Sequence, residues 1–189
     1  TNESNLTTEI SKTINILDVN EKPVISGNTE FSLYEHTGKN KIIGKLNSND
    51  LDTAAIFTNN IFKIVSGDTS SFTITEDGKI FTKRDFNYEE DRHSFEIKIA
   101  LSDKDLATYP DLITTENITI TLKDMPEVPE ITSKEFSVKE NSKEGTLIGI
   151  LKATDPDGDT LTFLLEEESP YVNVSSDGKI TVRKGADID

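Results

Sequence analysis

The sequence predicts an all-β chain of tandem sandwiches. Three observations predict it: blocks of sequence return after about 105 residues, apolar residues alternate with polar ones in runs of strand length, and Asp-Gly pairs punctuate those runs. The repeat organises the rest. Asp18-Val19-Asn20-Glu21-Lys22-Pro23 returns as Asp124-Met125-Pro126-Glu127-Val128-Pro129 at an offset of 106. FSLYE at 31–35 returns as FSVKE at 136–140, and IIGKLNSNDLD at 42–52 as LIGILKATDPD at 147–157, both at an offset of 105. SFTITEDGKIFTKRD at 71–85 finds its partner in YVNVSSDGKITVRKG at 171–185, at an offset of 100, and loops absorb the small differences.

The matched blocks read as strands. In SFEIKIALS, Phe95, Ile97, Ile99 and Leu101 alternate with Glu96, Lys98, Ala100 and Ser102, the period of a half-buried strand. ENITITLKD directs Ile118, Ile120 and Leu122 inward in the same way. Asp77-Gly78 and Asp177-Gly178 sit between strand-like runs, where glycine supplies the positive φ of a tight hairpin. LIGILKA and LTFLL, around the acidic DPDGD, also read as strands, and no stretch carries a helical apolar stripe. Between Pro23 and Pro129 seven candidates fall near 30–35, 41–46, 61–65, 71–75, 79–83, 94–102 and 116–123, the count of an immunoglobulin-like Greek-key sandwich.

The ends read as partial repeats. Ile14 and Ile16 align with Ile120 and Leu122, so residues 1–23 are expected to be the last strand and linker of a preceding repeat. Residues 24–128 then form one complete repeat. Residues 129–189 form the N-terminal part of a third, which stops before the counterparts of 94–102 and 116–123, and a piece of a longer chain is the expectation.

Composition excludes several functions. The 189 residues carry 35 Asp and Glu against 20 Lys and Arg, a net charge of -15, the opposite of the basic face a nucleic-acid binder needs. No cysteine is present, so disulfides and thiolate metal sites are out. No apolar run approaches the ~18 residues of a membrane span, and the N-terminus lacks a basic region followed by an apolar one. Any leader or anchor is expected outside this chain.

The carboxylates recur at fixed places in the period. Glu35 ends the first strand, Asn87 and Glu89 lie in FNYEE, Asp124 and Glu127 occupy the linker, and Asp155, Asp157 and Asp159 follow in DPDGD. In sandwiches joined end to end, these segments can converge on one junction. Ca²⁺ takes about six to eight oxygen ligands, the number such a junction can supply.

Those features together resemble cadherin domains, in the form common in large bacterial surface proteins. The family pattern has a Glu after the first strand, a DxD after the second, an LDRE-like motif, an AxD-like strand end and a DxNDNxP-like linker. Here stand Glu35 in YEH, Asp50-Leu51-Asp52, Phe86-Asn87-Tyr88-Glu89, Leu101-Ser102-Asp103 and the linkers DVNEKP and DMPEVP, with Glu140 in KEN and Asp155 and Asp157 in the third repeat. The resemblance covers essentially the whole chain. It implies Ca²⁺ at one junction through Glu35, Glu89, Asp124, Glu127, Asp155 and Asp157, and at the one before it through Asp18, Asn20, Glu21, Asp50, Asp52 and Asp103. Asn87 replaces an Asp and Pro126 an Asn, so fewer or weaker ions are expected at the later junction. The earlier junction lacks its upstream half in this chain and is expected to be empty.

What the resemblance implies for function is a non-enzymatic, calcium-binding segment of a cell-surface or secreted protein. It would act in calcium-dependent adhesion as a rigid spacer or adhesive repeat, with adjacent repeats and a homophilic or surface-glycan partner. The alternative is a carbohydrate-binding accessory module of a secreted enzyme. That module needs an aromatic platform, yet Tyr34, Tyr88, Tyr109 and Tyr171 are scattered and there is no Trp. Other motifs carry less. DPDGDT begins like an EF-hand loop, but Thr160 stands where the sharp-turn Gly belongs. His36 and His93 have no partner spacing for zinc or a triad. Asn5, Asn117 and Asn173 open N-x-Ser/Thr triplets, which are frequent by chance.

Overall fold

The computed structural model describes residues 8–52, 60–103, 112–133 and 135–189. The chain divides into two units, 1–123 and 124–189. Among the described residues every regular element is a strand.

In the first unit, β1 (Val24–Ser26), β2 (Glu30–Tyr34), β3 (Ile42–Lys45), β4 (Asn47–Asn49) and β5 (Asn60–Gly67) lead to β6 (Phe72–Ile74), β7 (Lys79–Thr82), β8 (Ser94–Asp103) and β9 (Ile113–Lys123). One sheet has the order β2-β9-β8-β5, the facing one β3-β7-β6, and β1 pairs with β4. The seven expected strands are all present within a few residues of their expected bounds. The short β1–β4 ladder is additional: the first strand splits at Gly27, and its two halves join different sheets. β2 and β9 run parallel, with Glu30 opposite Thr119 and Tyr34 opposite Lys123. The long ladder of β8 on β9 is antiparallel, from Ser94 opposite Thr121 to Ser102 opposite Ile113.

The alternation reads directly into the core. Phe95, Ile97, Ile99 and Leu101 of β8 and Ile118, Ile120 and Leu122 of β9 are buried, as are Leu33, Leu46, Phe62, Phe72, Ile80 and Phe86 from the other strands and loops. Each such side chain contributes about 1.5–3 kcal/mol on leaving water. Phe72, Phe86 and Phe95 form a triangle with ring centroids 5.4–5.5 Å apart, two of its three pairs edge to face.

The second unit has β10 (Glu130–Ile131), β11 (Leu147–Ile150), β12 (Ala153–Thr154), β13 (Val172–Val174) and β14 (Lys179–Val182). Its sheet β11-β14-β13 repeats β3-β7-β6, and β10–β12 repeats β1–β4. Local detail repeats too. Gly78 (φ +85°) and Gly178 (φ +83°) turn the two hairpins, and their carbonyls accept the amides of Leu46 and Leu151 at 2.9 and 2.8 Å. A Cβ on Gly44 would lie 2.1 Å from the Phe31 ring, and one on Gly149 would lie 2.2 Å from Phe136, so both strands need glycine where an aromatic ring crosses them.

Two expected strands are not strands here. Neither FSVKE (136–140) nor LTFLL (161–165) forms a ladder. Their counterparts β2 and β5 hydrogen-bond to β9 and β8, and the chain holds no counterparts of β8 and β9 in the second unit. A strand without a neighbour has no ladder to complete. The same reason applies to residues 8–17, which form no strand and leave Ile14 and Ile16 exposed.

Candidate metal centre

The linker preceding β1 folds onto the loop after β4. The Glu21 amide donates to both carboxylate oxygens of Asp52 at 3.2 Å, and the Asp52 amide donates to Asp50 Oδ1 at 3.1 Å. One carboxylate oxygen from each of Asp18, Glu21 and Asp52 lies within 4.8 Å of the others. Asp103, at the end of β8, joins the group through the Asn20 amide and the charge of Asp50. The structure therefore gathers all six residues expected for the earlier junction.

This group is buried and under-satisfied. Asn20, Asp52 and Asp103 are 9%, 6% and 3% exposed. Both amide atoms of Asn20, Asp50 Oδ2 and both oxygens of Asp103 are buried without a hydrogen bond of ordinary geometry among the described residues. Burial, then the neighbouring Asp50, pushes Asp52 up to about 6. Burial also raises Asp103, the Asn20 amide opposing it and the Asp50 charge adding to it. Buried polar groups are normally paired, and unpaired buried carboxylates are costly. An all-oxygen donor set of this density fits a hard divalent cation, which would satisfy the orphaned oxygens and restore ionisation.

Sequence reading missed one member. Asn60 opens β5 directly opposite Asp103, and its Oδ1 is another buried oxygen with no hydrogen bond among the described residues. The available signal was register: the first residue of a strand faces the last of its antiparallel neighbour.

At the opposite end of the first unit stand Glu35, Asn87 and Glu89. Glu35 is 1% exposed and its Oε2 accepts the Tyr88 amide at 2.8 Å. The loop carrying Asn87 and Glu89 is braced from beneath. Arg84 makes a bidentate pair with Asp91, both contacts 2.8 Å, while its guanidinium lies 4.2 Å from the Phe86 ring centroid. Asp91 also accepts the Asn87 amide at 3.1 Å, and Asn87 Oδ1 accepts the Glu90 amide at 2.8 Å. His93 stacks on Tyr88 at 3.7 Å, and the His36 amide, at φ +54°, donates to the Phe86 carbonyl at 3.0 Å. Both histidines thus shape this loop.

The second unit repeats the linker contact. The Glu127 amide donates to Asp157 Oδ2 at 2.8 Å, as Glu21 does to Asp52. Asp157 Oδ1 is buried without a hydrogen bond among the described residues. Asp155, Asp157 and Asp159 bring carboxylate oxygens within 4.8 Å of one another, and Asp124 lines a hollow with Asp157 and Asp159. A strand, β12, leads into this loop where an EF-hand would have a helix.

Fold and site define a class: tandem immunoglobulin-like β-sandwiches whose linkers and loops carry clustered carboxylate and amide oxygens. No protein-family model matches the chain. It is 30% identical over 163 residues to human Cadherin-12, covering 82% of this chain, and 30% identical to Cadherin-18 of Bos taurus, covering 78%. The chain spans 20% of the length of each of these relatives. The human Protocadherin-24 EC1-2 structure superposes with a TM-score of 0.63 at 16% identity, over 87% of this chain and 78% of that one. Mouse Cadherin-23 EC22-24 gives 0.56 at 19% identity, over 88% and 56%. The chain belongs to the cadherin domain family.

Proposed function

We propose that the chain is a calcium-binding segment of an extracellular, cell-surface or secreted protein, acting in calcium-dependent adhesion as a stiff spacer or adhesive repeat. On this reading, residues 24–128 are its one complete repeat, 1–23 and 129–189 belong to neighbouring ones, and adjacent repeats or a like chain are its partners. The observation that carries the reading is the set of buried, unpaired oxygens at Asn20, Asp50, Asp103 and Asn60 around the raised Asp52. The names of the relatives agree with it, since the matched proteins are cadherins and one superposed structure is described as extracellular cadherin domains.

Asp18, Asn20, Glu21, Asp50, Asp52 and Asp103 would hold one group of ions, and the buried oxygens left without hydrogen bonds there argue for occupancy where the sequence led to the expectation of an empty site. Glu35, Glu89, Asp124, Glu127, Asp155 and Asp157 would serve the other, with Asn87 in the loop beside Glu89. When bound, calcium supplies charge neutralisation and a fixed geometry. The residues themselves position the linkers: Glu21 and Glu127 each tether a linker backbone to the second Asp of an Asp-x-Asp pair. An ion there adds a second tether, which removes linker freedom and extends the segment.

Isothermal titration of the chelator-treated chain with Ca²⁺ tests this. Saturable binding that Asp52→Asn and Asp103→Asn each weaken at least tenfold is expected, and absence of binding at millimolar Ca²⁺ refutes the reading.

A further inference from the structure

We propose that Asn117 is an N-glycosylation site, a reading that rests on the extracellular assignment above. The triplet Asn117-Ile118-Thr119 has the acceptor spacing of two, and so does a β-strand. In β9 the consequence is direct. Ile118 is 0% exposed in the core, so Asn117 and Thr119 on either side leave the outer face of the sheet together. Asn117 is exposed opposite Lys98, and Thr119 lies between Glu96 of β8 and Glu30 of β2. The neighbours Thr115 and Thr121 are exposed as well. This face is built of short polar and charged side chains, which a bulky hydrophilic substituent covers without displacing any core contact.

The other triplets are less suited. Asn2, in Asn2-Glu3-Ser4, and Asn5 lie outside the described residues. Asn173 is exposed in β13, but its hydroxyl partner is tied into the hairpin turn, where Ser175 Oγ accepts the Lys179 amide at 3.1 Å.

The chemistry is a glycosyl transfer from a lipid-diphosphate-linked oligosaccharide, catalysed by a membrane transferase of the secretory route. Asn117 Nδ2 attacks the anomeric C1, the C1–O bond to the diphosphate breaks as the C1–N bond forms, the amide gives up one proton, and the lipid diphosphate leaves with the bonding pair. Thr119 positions the acceptor by its hydroxyl. The glycan then occupies the outer face of the β2-β9-β8-β5 sheet and reserves it from protein contact.

The test is secretion of the whole chain from a eukaryotic host, followed by glycopeptide mass spectrometry before and after peptide N-glycosidase, which converts a glycosylated Asn to Asp. Glycan mass on the peptide containing Asn117 is expected in most copies. Asn117→Gln and Thr119→Ala should each abolish it, and Thr119→Ser should retain it. An unmodified Asn117 in wild-type secreted protein overturns the assignment, as does a glycan confined to Asn2, Asn5 or Asn173. Melting the same purified protein with Ca²⁺ and with chelator reports separately on the calcium reading. Bare Asn117 in a protein that calcium still stabilises removes the glycan alone, while a glycan at Asn117 without any calcium shift supports it.

Discussion

Stripping calcium from the chain and melting it at pH 7 and again at pH 5 should give pH dependences of opposite sign with and without the ion. With Ca²⁺ a hundredfold above its Kd, linkage stabilises the folded unit by about 2.7 kcal/mol, or about 10–20 °C in Tm for a unit of this size. Proton competition follows from Asp52. Its folded pKa of about 6 stands above the ordinary 3.8, so between those values the ion-free native state holds a proton the unfolded chain has lost. In chelator, the Asp52 contribution is therefore full below pH 4 and is lost as the pH rises through 6, so the protein melts higher at pH 5 than at pH 7. With calcium the order reverses, because the ligand carboxylates must ionise to bind, and one pH unit below the Asp52 pKa weakens binding about tenfold. Differential scanning fluorimetry across pH 4.5–7.5, with 10 mM Ca²⁺ or chelator, reads both slopes. Identical melts in the two conditions, or a chelated Tm that climbs from pH 5 to pH 7, would refute the buried-carboxylate reasoning.

Replacing Asp52 by Asn should remove more than half of the calcium-induced Tm shift yet leave the chelated protein at pH 7 as stable as wild type or more so, since a desolvated charge is lost. Asp91→Asn should cost about 1 kcal/mol in urea denaturation, a value kept small by the one-third exposure of Arg84. Arg84 holds the Asp91 carboxyl below its ordinary value, so that contribution is present above pH 4 and fades as the pH falls through the lowered pKa. Gly78→Ala forces a Cβ to 2.5 Å from the Leu46 carbonyl at φ +85° and should destabilise by about 2 kcal/mol or more in the same assay. Hydrogen exchange should find the slowest amides in β8 and β9 and faster ones throughout 124–189, where Val182 is the one core residue that is fully buried among those described.

Period and alternation made the first unit legible, because Ile118, Ile120 and Leu122 state in sequence which face of β9 is buried. The acidic members of the centre were legible for a related reason: Asp18, Asp50 and Asp52 hold fixed places in a repeat. Asn60 was hidden because its role comes from pairing with Asp103 across a sheet, and pairing register is not written in either segment alone. FSVKE and LTFLL show the converse. Each has the alternation of a strand, but a ladder is a property of two segments, and theirs lack the second. The β1–β4 ladder escaped notice because Val24-Ile25-Ser26 is too short to display a period.

The parallel pairing of β2 with β9 governs how the first unit bears force. The chain enters along β2 and leaves along β9 in the same direction, with Glu30 opposite Thr119 at one end and Tyr34 opposite Lys123 at the other. Tension applied through the two flanking segments therefore slides these strands past one another and loads the five paired positions at once, instead of peeling them apart singly. Shear of this kind demands that several hydrogen bonds break together, so the unit resists pulling from its ends far better than its equilibrium stability alone would suggest.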